Sequence, residues 1–361
     1  MKAGISINEL AQRVDRNRRA KRDFISESNR IALVHDKDAG RVRLQLRADD
    51  AEHTFNTTPI FQRQLGARLK INANYWDKMV AEAPDLLATN ANYWLERSQE
   101  RRMIRTLADD EGGIGLARAV LSDRYKRIDN EQILQEVLPA LGNIPGLQIT
   151  DCELTEHRMY IKAITPRIAG EIKVGDQVQA GVVISNGEIG NGSLSVSPLV
   201  FRLVCLNGMV IPDGKFSAIH VGRKAEEGSA YELYTDETRQ ADDKAILLKA
   251  RDVANGIFNQ DYFDKLLLPM REAASDFAQT KRPDKAVEVL SETYGFNEEE
   301  QVSVLTHLLQ GGDMSRWGFA NAVTRAAQDV PSYDRSVDLE RLGGAMMSMD
   351  RKVWEKVAEA A

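Results

Sequence analysis

Polar and apolar residues alternate most clearly between Asp176 and Gly222, DQVQAGVVISNGEIGNGSLSVSPLVFRLVCLNGMVIPDGKFSAIHVG, where Gly181, Val183 and Ser185 keep a period of two and Leu194, Val196 and Leu199 lead into an apolar run. Period two is that of a strand, whose successive side chains point to opposite faces. The stretch therefore predicts three strands, joined by turns at Asn186-Gly187 and Asn207-Gly208, dipeptides suited to hairpins. Upstream, Arg41 to Phe55 alternates through Val42, Leu44 and Leu46 and predicts a strand. Thr58-Pro59 predicts the N-cap and first residue of a helix through Phe61, Leu65 and Leu69. The pentapeptide NANYW occurs at 72–76 and at 90–94, each copy leading a helix-like segment, with Trp76 and Trp94 expected as core anchors of a helical pair. Arg101 to Leu107 and Leu116 to Leu121 predict strands. Asn130 predicts a cap for a helix through Ile133, Leu134, Val137, Leu138 and Leu141 that stops at Gly142. Leu147–Leu154 and Met159–Ile164 predict a hairpin, and from Tyr231 onward the pattern becomes helical. The expected fold is α+β: a mostly antiparallel central sheet with helices on one side, followed by a helical C-terminal region. The expected division is 1–55 for a basic arm and first strand, 56–230 for the core and 231–361 for the helical region.

Composition narrows the class. The chain has 361 residues, 43% apolar and 28% charged, ordinary globular material that can bury a core. The apolar stretch around Leu199 to Val204 is far short of the roughly 20 residues that cross a bilayer, and the start MKAGISINELAQRVDRNRRAKRDF has no apolar signal segment. The expectation is a soluble, cytoplasmic protein with no membrane partner. Cys152 and Cys205 have no CxxC spacing and no nearby His pair, so both read as core thiols, and neither a metal nor another cofactor is expected. Charge is uneven: residues 1–48 hold 12 Lys/Arg against 6 Asp/Glu, 49–230 hold 20 against 24, and 231–361 hold 16 against 24. A basic arm on an acidic chain implies an anionic partner for the arm, or pairing of the arm with an acidic tail of a neighbouring subunit.

Several residues carry candidate chemistry. Arg101, Arg102 and Arg105 lie in one predicted strand, expected to line one face. Arg124, Tyr125, Lys126 and Arg127 set an aromatic among cations, the composition that lets a base stack while phosphates are neutralised. Arg202, Lys215 and Arg223, with Lys224, add cations in and after the central strands, although Arg202 also reads as a paired structural arginine. A polar cluster is expected from Glu188, Asn191, Asn207 and His220. The run from Arg13 to Arg22, RVDRNRRAKR, follows an amphipathic segment through Ile5, Ile7, Leu10 and Val14, and reads either as a solvated face or as a nucleic-acid contact.

The pieces QRQLGARLKINANYW, LATNANYWL, LSDRYKRIDN, SNGEIGNGSLSVSPLVFRLVCLNGMV, IHVG, SRWGFANAVTRAAQD and SYDRSVDLERLGG resemble, in order over roughly residues 60 to 345, the phage/plasmid-like family known as domain of unknown function 932. The resemblance implies a mobile-element role such as recombination, replication support or counter-defence, and implies nothing about the basic arm. Three functions are in view. The favoured one is a homo-oligomeric single-stranded DNA binding or annealing protein, without catalytic residues. The second is a metal-dependent nuclease or nucleotide hydrolase using Glu188, Asp213 and His220 with Lys215. The third is a counter-defence protein that binds a host factor through its helical tail.

Overall fold

The structure is a computed structural model that describes residues 1–360 except 110, 124, 126, 127, 193 and 213–235. Two compact units form: one comprises 1–11, 128–187 and 193–361, the other 12–127 and 188–192. These units cut across the expected division at 55 and 230, because strands before and after residue 55 hydrogen-bond into one sheet. The α+β class and the mostly antiparallel pairing hold, but there are two sheets, not one central sheet, ahead of the helical C-terminal region.

The unit containing 12–127 is built on six strands, β1 (Lys21–Glu27), β2 (Ile31–Asp36), β3 (Arg41–Ala48), β4 (Ala51–Thr57), β5 (Arg101–Leu107) and β6 (Gly115–Ser122), in the order β1-β5-β6-β4-β3-β2. Among the described residues only β4 and β6 run parallel. The predicted strand from Arg41 to Phe55 is in fact the hairpin β3–β4, turned at Asp49 and Asp50. Both have positive φ, 51° and 58°, as the tight hairpin turns that match strand twist require. The sheet curls, bringing the Phe24 ring of β1 within 5.9 Å of Phe55 on β4, although two strands separate them in hydrogen-bond order. Three helices, α2 (Pro59–Arg68), α3 (Ala73–Glu82) and α4 (Pro84–Leu95), cover the sheet with Phe61, Leu65, Trp76, Met79, Leu87 and Leu95, against Leu33, Leu44, Leu46 and Phe55. Thr58 caps α2 as expected, its Oγ1 accepting from Phe61 N at 3.1 Å. The basic arm begins as helix α1 (Ile7–Ala20), with Leu10 and Val14 buried.

The other unit holds α5 (Asn130–Glu136), α6 (Leu138–Leu141) and a fully antiparallel sheet, β7 (Gln148–Leu154), β8 (Met159–Glu171), β9 (Gln177–Asn186), β10 (Ser195–Arg202) and β11 (Asn207–Val210), ordered β11-β10-β9-β8-β7. Ile5 extends the β7 edge through paired backbone bonds with Cys152, 2.7 and 3.2 Å. Two local readings shift. Asp129 caps α5, its N–H bonding Gln132 Oε1 at 2.8 Å, so Asn130 is the first helical residue. The β10–β11 turn is 203–206, with Leu206 at φ 52°, and Asn207-Gly208 opens the last strand instead of forming the turn.

The helical region is α7 (Asp236–Ile257), α8 (Gln260–Ala274), α9 (Pro283–Tyr294), α10 (Glu298–Gly311), α11 (Arg316–Ala326), α12 (Tyr333–Ala345) and α13 (Arg351–Ala358). Its apolar faces and the sheet share one core, in which Val178, Ala180, Val200 and Met209 meet Phe263, Leu290, Trp317, Phe319 and Trp354. α12 runs so close to β11 that a Cβ on Gly344 would fall 1.9 Å from the Val210 carbonyl oxygen; only glycine allows that approach. Among the described residues no helix is long and apolar enough to cross a membrane.

Candidate nucleic-acid interface

Adjacent residues of a strand point to opposite faces, so Arg101 and Arg102 cannot share one. Arg101 is exposed, whereas Arg102 and Arg105 are buried. A guanidinium leaves water only when hydrogen-bonded and paired, and both are. Arg102 donates from Nε to Ser28 Oγ at 2.8 Å and lies 2.9 Å from the Glu100 carboxylate. Burial lowers its pKa, and Glu100 opposes the shift. Arg105 reaches Asp23 at 3.3 Å and donates to the Glu188 carbonyl oxygen at 2.7 Å. The expected basic face on β5 is therefore not formed: two of its three arginines are interior struts.

Glu188 and Asn191 sit in the short segment 188–192, which completes this same unit. The Glu188 carboxylate takes Arg118 Nη1 and Nη2 at 3.2 and 3.3 Å. Gln64 donates to the Ile189 carbonyl at 2.6 Å and accepts from Val120 N at 2.9 Å, fastening the segment to β6. Ile189 then fills a small core with Met103, Ala119 and Leu121, against which Tyr125 packs half-buried. Tyr125 is thus a packing residue and not an open stacking platform. Asn207 belongs to the other unit, its amide bonded to Asn321 and Thr324. Arg202 is the paired structural arginine: it grips the Asp176 carboxylate at 2.6 and 2.9 Å, and Trp317 Nε1 donates to the same carboxylate at 2.8 Å. Glu188 and Asn207 thus fall in different units, each held by partners of its own unit. Arg124, Lys126, Arg127, Asp213, Lys215, His220, Arg223 and Lys224 lie outside the described residues. Among the described residues no group of three or more His, Cys, Asp or Glu is placed to hold a metal ion.

What the unit around 12–127 does present is positive charge elsewhere. From Arg13 to Arg22 there are six Lys/Arg and one acid, Asp15. The buried positions Leu10 and Val14 orient α1, leaving Arg16, Arg18, Arg19 and, at the start of β1, Arg22 exposed. Arg18 and Arg19 contact Asp15 at 2.9 and 2.5 Å and hold its carboxyl below the usual range, the Arg18 hydrogen bond contributing most. Arg18 and Arg19 also sit in the last turn, where cations favour the helix dipole. Arg22 Nη1 likewise donates to the Arg19 and Lys21 carbonyl oxygens at 3.1 and 2.7 Å, closing the end of the helix, while Arg16 lies outside that local role.

A second row lies on β3, where Val42, Leu44 and Leu46 face the core and Arg41, Arg43, Gln45 and Arg47 take the opposite face. Arg43 is paired with Asp36 at 2.6 Å and Arg47 lies 3.7 Å from Glu52, which reduces the net charge of this row.

The aromatic component sits on α3 and α4. Tyr75, Tyr93 and Trp94 are 47%, 49% and 49% exposed. Tyr93 and Trp94 meet edge to face at 5.1 Å, and the Arg97 guanidinium lies 3.7 Å over the Tyr93 ring. Only Trp76 of the two expected tryptophan anchors is in the core. The two NANYW copies have different contexts: Asn72 caps α3, so the first copy begins a helix, while the second ends α4, whose buried face is Leu87, Ala88, Ala91 and Leu95. Exposed cations neutralise phosphates and exposed rings stack on bases, the two components of single-strand recognition. The β3 row was visible in the sequence as the polar half of a period-two pattern; the exposure of Trp94 was not.

A family model described as a domain of unknown function, DUF932, matches residues 117–347. The searches of curated proteins and of solved structures each found no match.

Proposed function

The chain belongs to the family of domain of unknown function 932, and on that footing we propose that it is a DNA-transaction protein of a mobile element, binding single-stranded DNA during recombination or replication. The observation that carries the reading is the run of exposed cations Arg16, Arg18 and Arg19 on α1, a helix oriented by Leu10 and Val14, continued by Arg22 at the start of β1. Tyr75, Tyr93 and Trp94 supply stacking surface, and each stacked ring contributes about 1–3 kcal/mol per base. Strand choice follows from the rings: duplex DNA hides its base faces, so stacking favours the single strand. The reading includes homo-oligomers, in which basic helices from several subunits track one strand.

The test is fluorescence anisotropy with labelled single-stranded and double-stranded oligonucleotides of equal length at low salt. Tighter binding of the single strand, weakened when Tyr93 and Trp94 are replaced by Ala, supports it. Absence of binding to either form rules it out and turns attention to a host protein partner. The nuclease alternative has less support, because Glu188 is committed to Arg118.

A further inference from the structure

Residues 1–5, MKAGI, cross the five-stranded sheet as a strap. At one end the Met1 side chain packs on Ile164, Val183, Leu199, Phe201 and Val210, contributed by β8 to β11. Lys2 Nζ donates to the Val330 carbonyl oxygen at 2.6 Å. At the other end Gly4 N donates to Asp151 Oδ1 at 2.7 Å, and Ile5 exchanges both backbone bonds with Cys152 on the outer side of β7. Asp151 also accepts from the Tyr333 hydroxyl, which fixes its carboxylate. The fourth position has to be glycine, because a Cβ there would collide with the Cys152 carbonyl oxygen.

The sheet thus offers a seat for an extended peptide, with main-chain bonds at a strand edge and a pocket for one apolar side chain, the means by which added strands are recognised. Strap and seat lie within one compact unit. Ser6 alone separates Ile5 from the first residue of α1, and it starts that helix: its Oγ accepts from Glu9 N at 3.2 Å and its carbonyl oxygen from Leu10 N at 2.9 Å. None of the seat's contacts depends on which copy supplies the strap, since residues 1–5 of a second copy make every one of them again. A one-residue connection leaves no slack, and short connections invite exchange between copies.

We propose that the seat on β7 binds residues 1–5 of a second copy of this chain, so that two copies exchange straps. The strap's own chemistry sets the specificity: an apolar side chain first, a cation next to it, glycine at the fourth position and an aliphatic residue after it. Lining several copies along one strand raises the local concentration of straps and favours the exchange. The inference deepens the homo-oligomer of the proposed function and rests on that part of the reading, while the contact itself involves no nucleic acid.

The test is made without DNA, so its outcome is separate from that of the oligonucleotide titration. Light scattering on the full chain gives the mass of a dimer for wild type at high concentration and of a single chain for Gly4→Val, whose strap no longer fits. A fluorescent peptide of residues 1–6, MKAGIS, reads the seat by anisotropy. It binds the Gly4→Val chain at least about tenfold tighter than wild type, whose seats are already filled, and the same peptide carrying Gly4→Val does not bind. Thermal melting reports whether Gly4→Val folds; Ile5→Pro, which removes the N–H that Cys152 accepts, gives the same readings where it does not. Wild type that stays a single chain at every concentration, a dimer retained in both variants, or no peptide binding to either variant overturns the proposal.

Discussion

Lys162 of β8 and Glu340 of α12 form an ion pair, Nζ to Oε2 2.8 Å, with both side chains out of water. The Tyr333 ring stands 5.0 Å from the same ammonium, and the Tyr333 hydroxyl donates to Asp151. Helix and sheet are thereby joined through charge as well as apolar contact. A buried pair adds little over a well-packed apolar replacement, but a lone buried charge is costly. Lys162→Met alone and Glu340→Leu alone are each expected to lower the unfolding free energy by about 3–5 kcal/mol, and the double variant to recover most of that loss. Urea titrations of the four proteins check it.

Acid sensitivity should centre on Glu300. Its carboxylate receives two bonds from Arg335 at 2.7 Å and one from Asn297 N at 3.0 Å. Arg335 chiefly holds its pKa below the ordinary 4.5. A native pKa below the unfolded one stabilises the fold above pH 4.5, and that contribution is lost as pH falls through the depressed native value. Wild type should lose stability across that window, and Glu300→Gln should lack that part of the acid limb. Chemical denaturation at a series of pH values measures it.

The two cysteines should separate by reactivity. Burial pushes the Cys152 thiol up to about 12, so at pH 8 only about one molecule in ten thousand carries the thiolate. Cys205 is half-buried beside Arg202, 3.4 Å from Nη1. A thiol reagent should label Cys205 in the native protein and Cys152 only after unfolding, which mass spectrometry of labelled peptides resolves.

Glu188 should prove a strut. Replacing it with Gln leaves Arg118 and the 188–192 segment less firmly held, and stability is expected to fall by about 1–3 kcal/mol, while oligonucleotide affinity stays unchanged. Thermal melts and anisotropy on the same sample separate the two effects.

The α+β class, the hairpin before the central stretch and the helical end were readable because they rest on local periodicity and on caps such as Thr58. The functional surface was less so. Arg102 and Arg105 look like surface cations until their partners appear, and Ser28 and Asp23 lie more than 70 residues away in sequence. β1, KRDFISE, alternates poorly because Asp23 faces Arg105 from a strand edge. The Arg41–Phe55 alternation hid a turn, since Asp-Asp is a weaker signal than Asn-Gly for two residues at positive φ. Trp94 could not be placed by composition, because the same pentapeptide begins one helix and ends another.

Where exposed cations of α1 and β1 contact phosphates, the slope of log affinity against log salt counts those contacts. For single strands each contact contributes about −0.7. Replacing Arg16, Arg19 and Arg22 together with Gln should flatten the wild-type slope by about 2 and weaken low-salt binding of a single-stranded oligonucleotide by at least tenfold. An identical slope and affinity in wild type and the triple variant would contradict the account.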